Sequence, residues 1–192
     1  LKKYIVGAFT PESWDTHGKD WLAAVKKLGT AVLVFNTAGD GFELYDGTQA
    51  GLIAALAKRD GVFLFAGPNV RVQKSVEEIF ELAADKVVAF GRESSCVRRP
   101  FHGSRLVHED FWAAPSDLLD MLARVIEMSF GTGSSPPHFD ANYVGYFVEF
   151  FPWFASVLPA GFAHQYDADL VDDYYSSPGG DPLIAVALAT SN

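Results

Sequence analysis

The run Val62-Phe63-Leu64-Phe65 is set between Asp60-Gly61 and Gly67-Pro68, and it limits this chain's options more than any other stretch. Four consecutive apolar side chains with no polar alternation require cover on both faces, as a strand inside an α/β sheet has. Beyond the turn, Ser75 with Glu78 three positions later forms a capping box, and Ile79, Phe80 and Leu82 give the helix that follows an apolar side. The intervening Ala66-Gly67-Pro68-Asn69 stands at the carboxyl end of the strand, the edge at which open α/β sheets bind ligands.

The chain before this unit repeats the same logic. Tyr4 to Phe9 reads as a strand closed by Thr10-Pro11, and Trp21, Leu22, Val25 and Leu28 recur at helical spacing up to a C-cap glycine, Gly29. Ala31 to Phe35 is the next strand, ending at Asn36-Thr37; strand, helix, strand implies a parallel pair with Thr10 and Asn36 on one edge. The loop Ala38 to Gly47 leads to a helix through Leu52, Ile53 and Leu56, whose last cations, Lys58 and Arg59, suit a helix C-terminus. After the Ser75 helix, Lys86 to Phe90 reads as a strand, Ser94 to His108 as irregular, Glu109 to Ala114 as a short strand, and Leu118 to Ile126 as an amphipathic helix. Asp140 is placed to cap a helix through Tyr143, Val144, Phe147 and Phe150 that stops at Pro152. DADLVDDYYSSPGGD reads as a surface loop, and Leu183 to Leu188 as a last strand.

With 192 residues, 49% hydrophobic, and no linker or repeat, the expectation is one α/β domain over residues 1–192. Fifteen basic against 24 acidic residues, a formal charge of −9, argue against a nucleic-acid partner. A single cysteine, Cys96, excludes an internal disulfide and suits a reducing compartment. No apolar run reaches the roughly 20 residues of a membrane span. The opening LKKYIVGAFTPE is too short for a signal peptide, so a cytoplasmic location is the expectation.

The order of these parts resembles the nucleotide-sugar-binding half of GT-A-type glycosyltransferases over nearly the whole chain. FLFAGPNVRVQKSVEEIFEL stands where the family has an apolar strand, an Asp-x-Asp turn and a helix; KVVAFGRE, EDFWAAPSDLLDML, Phe139 to Phe147 and Trp153 to Pro159 resemble its later elements. The resemblance implies a Rossmann-like GT-A fold with a mostly parallel sheet flanked by helices. It also implies a nucleotide-diphosphate-sugar donor, UDP-linked, and transfer of the sugar to an acceptor. Donor contacts would then come from Ala8, Phe9, Thr10, Asn36, Gly67 and Asn69 at the strand ends. In the family the two turn acids hold a divalent ion, Mn²⁺ or Mg²⁺, on the diphosphate. Here Gly67 and Asn69 replace them, so Asn69 is the one metal-side candidate, and a metal-independent site would draw on Arg92, Arg98, Arg99 and Arg105, the basic concentration of an acidic chain. Loss of both acids favours an inactive nucleotide- or carbohydrate-binding protein, whereas the Asp140 segment and the RESSCVRRPF loop favour an active transferase.

Each candidate has a plainer reading. Asn69 after Pro68 is ordinary turn chemistry, Thr10 and Asn36 can cap or close loops, and Asp140 can be an N-cap whether or not it serves a site. For the carboxylate chemistry of sugar transfer the candidates are Asp140, Glu93 and the Glu109-Asp110 pair, Glu109 being the preferred member; adjacent strand residues face opposite ways, so at most one of that pair faces the site. Trp112 is the aromatic chosen to stack on a sugar ring, and His102, His108, His138 and His164 read as ordinary loop histidines. A Rossmann dinucleotide site is disfavoured because AFTPESW lacks the Gly-x-Gly-x-x-Gly turn.

Overall fold

The computed structural model describes residues 1–39, 41–68, 70–72, 75–91, 107–130 and 143–158. The described strands are β1 (Lys3–Phe9), β2 (Ala31–Asn36), β3 (Glu43–Leu44), β4 (Val62–Ala66), β5 (Val87–Gly91), β6 (Val107–Pro115) and β7 (Ala155–Leu158). They form one sheet in the order β3-β2-β1-β4-β6-β5-β7. β6 runs antiparallel to both of its neighbours, β4 and β5, while the other pairings are parallel.

Because side chains alternate along a strand, this sheet builds two cores. On one face Ile5, Phe9, Leu64, Ala66, Phe111 and Ala113 pack with Trp21 and Val25 of α2 (Lys19–Lys26) and with Ile79 and Phe80 of α4 (Glu77–Leu82). On the other, Val6, Ala8, Phe63, Phe65, Trp112 and Ala114 meet α3 (Gln49–Leu56), α5 (Ser116–Phe130) and α6 (Tyr143–Phe150). β4, with every residue buried, is the strand covered on both faces that its composition demands. Between β1 and α2 the chain winds through a short α1 (Pro11–Ser13) and a π-helical turn, Trp14–Gly18. Gly29 closes α2 with φ +72°, the left-handed conformation expected of a C-cap glycine.

Four local expectations are corrected. α4 starts at Glu77 without the Ser75-Glu78 capping box: Val76 occupies the N-cap position with no side-chain cap, and Ser75 Oγ accepts from the Glu77 N–H at 3.4 Å. Burial of Val76 to 3% exposure anchors this helix start by packing instead. The loop 38–47 contains β3, which extends the sheet beside β2. Arg59, expected only to suit a helix end, pairs with Glu43 on that strand and lies 5.8 Å over the Phe35 ring. β6 is also longer than its expected Glu109 to Ala114 span, and it takes His108, read as a loop residue, into the sheet at 2% exposure.

α6 and β7 fall where the Tyr143 to Pro152 and Trp153 to Pro159 patterns put them. Leu183 to Leu188 and the DADLVDDYYSSPGGD stretch lie outside the described residues. No helix among the described residues is long and apolar enough to cross a membrane.

Candidate functional site

All the parallel strands end on one edge of the sheet, and antiparallel β6 begins there. At that edge lies a cavity of about 400 Å³. Its floor is Ala8 of β1 and Phe65 of β4, two residues that share a face of the sheet. Thr10 and Ser13, residues of the segment Tyr45 to Leu52, and Pro68 and Asp110 complete its lining.

The hydroxyl wall is rigid for a local reason. Thr10 Oγ1 accepts from the Ser13 N–H at 3.2 Å and Ser13 Oγ accepts from the Thr10 N–H at 2.8 Å, a reciprocal cap that fixes both side chains. Thr48, also in the lining, is the N-cap of α3, its Oγ1 accepting from the Gly51 N–H at 3.0 Å. Asp46 Oδ1 in turn accepts from the Thr48 N–H at 2.8 Å and the Thr48 hydroxyl at 2.7 Å. Gly51 makes room for this arrangement, since a Cβ there would stand 2.0 Å from Asp46 Oδ1. The positive end of α3 is thereby already matched by a carboxylate. Thr48→Ala should cost about 1 kcal/mol, read as a lower urea midpoint, and Thr48→Ser should restore most of it.

Tyr45 packs edge-on against Phe35, with ring centroids 6.2 Å apart. Burial, and secondarily the Asp46 charge, raise its pKa above the ordinary phenol value, so it presents a protonated hydroxyl at neutral pH. Gln49 Oε1 accepts from the Tyr143 N–H at 2.5 Å, tying this wall to the start of α6.

The expected donor-side residues divide. Ala8 and Thr10 line the cavity. Phe9 points into the opposite core, fully buried, and only its carbonyl works at the edge, accepting from the Thr37 N–H at 3.1 Å. Asn36 is 2% exposed and closes its own turn, with Oδ1 accepting from the Ala38 N–H at 2.8 Å. Gly67 is buried at the turn, donating its N–H to the Asp110 carbonyl at 2.8 Å.

Trp112 is corrected outright as a sugar platform. It is 0% exposed with its ring 5.3 Å from that of Phe65, because β6 is an interior strand and this face is covered by helices. Glu109 lies in β6, but its side chain is outside the described residues, as are Asn69, Arg92, Glu93, Arg98 and Asp140. The Arg92 to Arg105 segment joins two ends that meet at the ligand edge, where Gly91 pairs with Val107.

Of the acidic pair, Asp110 lines the cavity. A Cβ at Gly67 would stand 2.9 Å from Asp110 Cβ and 3.0 Å from its Cγ and Oδ1. The side chain absent from the turn and the carboxylate from β6 therefore compete for the same space. Ser13, Tyr45, Gly47, Thr48 and Gln49 were not singled out from sequence, and Phe65 was read there as a strand residue rather than as part of a site. The signal for Thr48 was its place before a helix that must begin on the ligand edge.

No group of three His, Cys, Asp or Glu side chains converges among the described residues, and Gly67 and Pro68 offer no ligating side chain.

This sheet order, with one antiparallel strand inside a parallel frame and helices on both faces, is the GT-A fold of glycosyltransferases. Among solved structures, a glycosyltransferase involved in the glycosylation of the major capsid of PBCV-1 matches with TM-score 0.59 and 11% identity, over 100% of this chain and 95% of that one. GlyE of Streptococcus pneumoniae TIGR4 matches with TM-score 0.59 and 10% identity over 96% of this chain, which spans 54% of GlyE. An active-site mutant of LgtC matches with TM-score 0.55 and 12% identity, over 98% of this chain and 88% of that one. No protein-family model and no curated protein matches the sequence.

Proposed function

We propose that this protein is a glycosyltransferase that binds a nucleotide-diphosphate sugar, UDP-linked, and transfers the sugar to an acceptor. The observation that carries the proposal is the cavity over the carboxyl ends of β1 and β4, in a fold shared with glycosyltransferases. On this reading the nucleoside lies among Thr10, Ser13, Tyr45 and Thr48. The diphosphate lies toward the Gly67-Pro68-Asn69 turn. Its charge is balanced by Arg92, Arg98, Arg99 and Arg105, cations of the segment whose two ends meet at this edge.

Proton transfer from the acceptor hydroxyl falls to Asp140 or Glu93, because Asp110 is the member of the β6 pair on the cavity face and Glu109 therefore lies on the other. Asp140 has the best support, since it precedes by three residues Tyr143, whose N–H is held by Gln49 of the cavity wall. A second reading, a binding protein without transfer activity, is favoured by the neutral turn, where Gly67 and Asn69 stand in place of the two acids of the resembling family.

Calorimetry with UDP, with and without Mn²⁺, followed by a donor-hydrolysis assay, tests both readings. Binding is expected without added metal and should weaken at least about 10-fold when the four arginines become alanine, as loss of charge-assisted hydrogen bonds requires. Unchanged affinity removes the arginines from the site. Binding with no turnover across the common donors selects the second reading.

A further inference from the structure

Two parts of the cavity lining come from segments with different anchors. Thr10 and Ser13 follow β1, a seven-residue strand inside the sheet, whereas Tyr45 follows β3, a strand of two residues paired to β2 at Phe35-Glu43 and Asn36-Leu44. We infer that Trp14 is a positioning residue of this site: its indole, resting on Phe42, holds the segment that carries Tyr45 at the separation a nucleoside requires. The inference rests on the proposed function, and it brings to that site a residue that does not itself line the cavity.

Trp14 directly follows Ser13, and Phe42 stands three positions before Tyr45. Their ring centroids are 4.4 Å apart, with the planes tilted by 56°. The contact therefore ties the two parts of the lining together close to where each enters the cavity. Trp14 is itself seated on the core, since its ring meets that of the fully buried Phe9 edge-on at 5.1 Å and 85°. An aromatic pair of this kind favours the arrangement that forms it by about 2- to 10-fold beyond its buried area. Where a lining is in place for only part of the time, apparent affinity falls with that fraction.

The backbone on both sides is built to make this contact. From Trp14 to Gly18 the chain is a π-helical turn, and a Cβ at Gly18 would stand 2.1 Å from a Trp14 ring carbon, so a side chain there displaces the indole. Gly41, next to Phe42, has φ +85°, a conformation that glycine adopts without strain. Phe42 is half-buried and is a member of neither core, so removing its ring frees the Tyr45 segment without opening a core cavity.

The test is UDP calorimetry on the full chain for wild type, Phe42→Ala, Phe42→Tyr, Gly18→Ala and the Phe42→Ala/Gly18→Ala double variant, with urea unfolding of each. Phe42→Ala should weaken UDP binding about 2- to 10-fold. Phe42→Tyr keeps the ring and should stay within about 2-fold of wild type. Gly18→Ala should lose affinity by a factor similar to Phe42→Ala, although residue 18 lies outside the lining, and the double variant should bind little more weakly than the weaker single one, because one contact is lost once. A merely structural role would lower the urea midpoints and leave UDP affinity unchanged, and that pattern overturns the assignment. Equal losses in Phe42→Ala and Phe42→Tyr overturn it too, as do losses that add in full in the double variant. Failure of wild type to bind UDP at all strikes the proposed function instead, which keeps the two failures distinct.

Discussion

Trp112→Ala is expected to lower the unfolding free energy by about 3–5 kcal/mol, the range for deleting a buried large aromatic. The indole is 0% exposed, lies 5.3 Å from the Phe65 ring, and shares its core with Leu119, Leu122 and Phe147. Its N–H has no hydrogen-bond partner among the described residues, so Trp112→Phe removes an unpaired buried donor together with some packing volume. The phenylalanine variant should therefore recover most of the stability lost in the alanine variant. Urea unfolding of the two variants, with UDP-sugar calorimetry on the phenylalanine one, separates the roles. A core residue gives a large stability loss in the first and near-normal affinity in the second. A sugar platform gives the opposite pattern, and that result would return Trp112 to the site.

Gly67→Asp is expected to destabilise the protein rather than restore a family-like turn. Any Cβ at this position stands 2.9 Å from Asp110 Cβ, and overpacking of this kind typically costs about 1–3 kcal/mol. Gly67→Ala measures the steric part alone. The aspartate adds a carboxylate beside Asp110, and two such groups cannot both ionise without one pKa rising. A carboxyl whose pKa is raised on folding disfavours the folded state above its unfolded pKa, and the penalty fades as pH falls through that value. The extra loss of Gly67→Asp over Gly67→Ala should thus be larger at pH 7 than at pH 4. Combining Gly67→Asp with Asp110→Gly should regain about 0.5–3 kcal/mol relative to the sum of the single changes, the usual coupling for residues in contact. Strict additivity in the urea midpoints would show that the two positions do not share a space.

The Asp110 carboxylate also shows why reading the turn alone misleads. Residues 67 to 69 look like a site stripped of its acids, and the turn by itself is neutral. A carboxylate nevertheless reaches it from a strand more than 40 positions away, and it does so because position 67 is glycine. The acidic pair on β6 was visible in the sequence, but Glu109 and Asp110 are equivalent until the strand has partners. Pairing with β4, in which Ala66 stands opposite Phe111, is what brings Asp110 beside the turn and the cavity.

The sequence by itself determined the parts governed by near neighbours. The doubly covered β4 follows from an unbroken apolar run, the end of α2 from Gly29, and the parallel β1-β2 pair from a helix too long to permit a hairpin. Each of these is settled by contacts or torsions within a few residues, so composition and spacing suffice. Only the tertiary structure decided that β6 runs antiparallel inside the sheet, burying Trp112 and bringing Asp110 to the cavity, and that Gln49 holds the start of α6 across 94 positions. Those features depend on which strands become neighbours, a choice made by the fit of whole surfaces, and no local pattern of residues carries it.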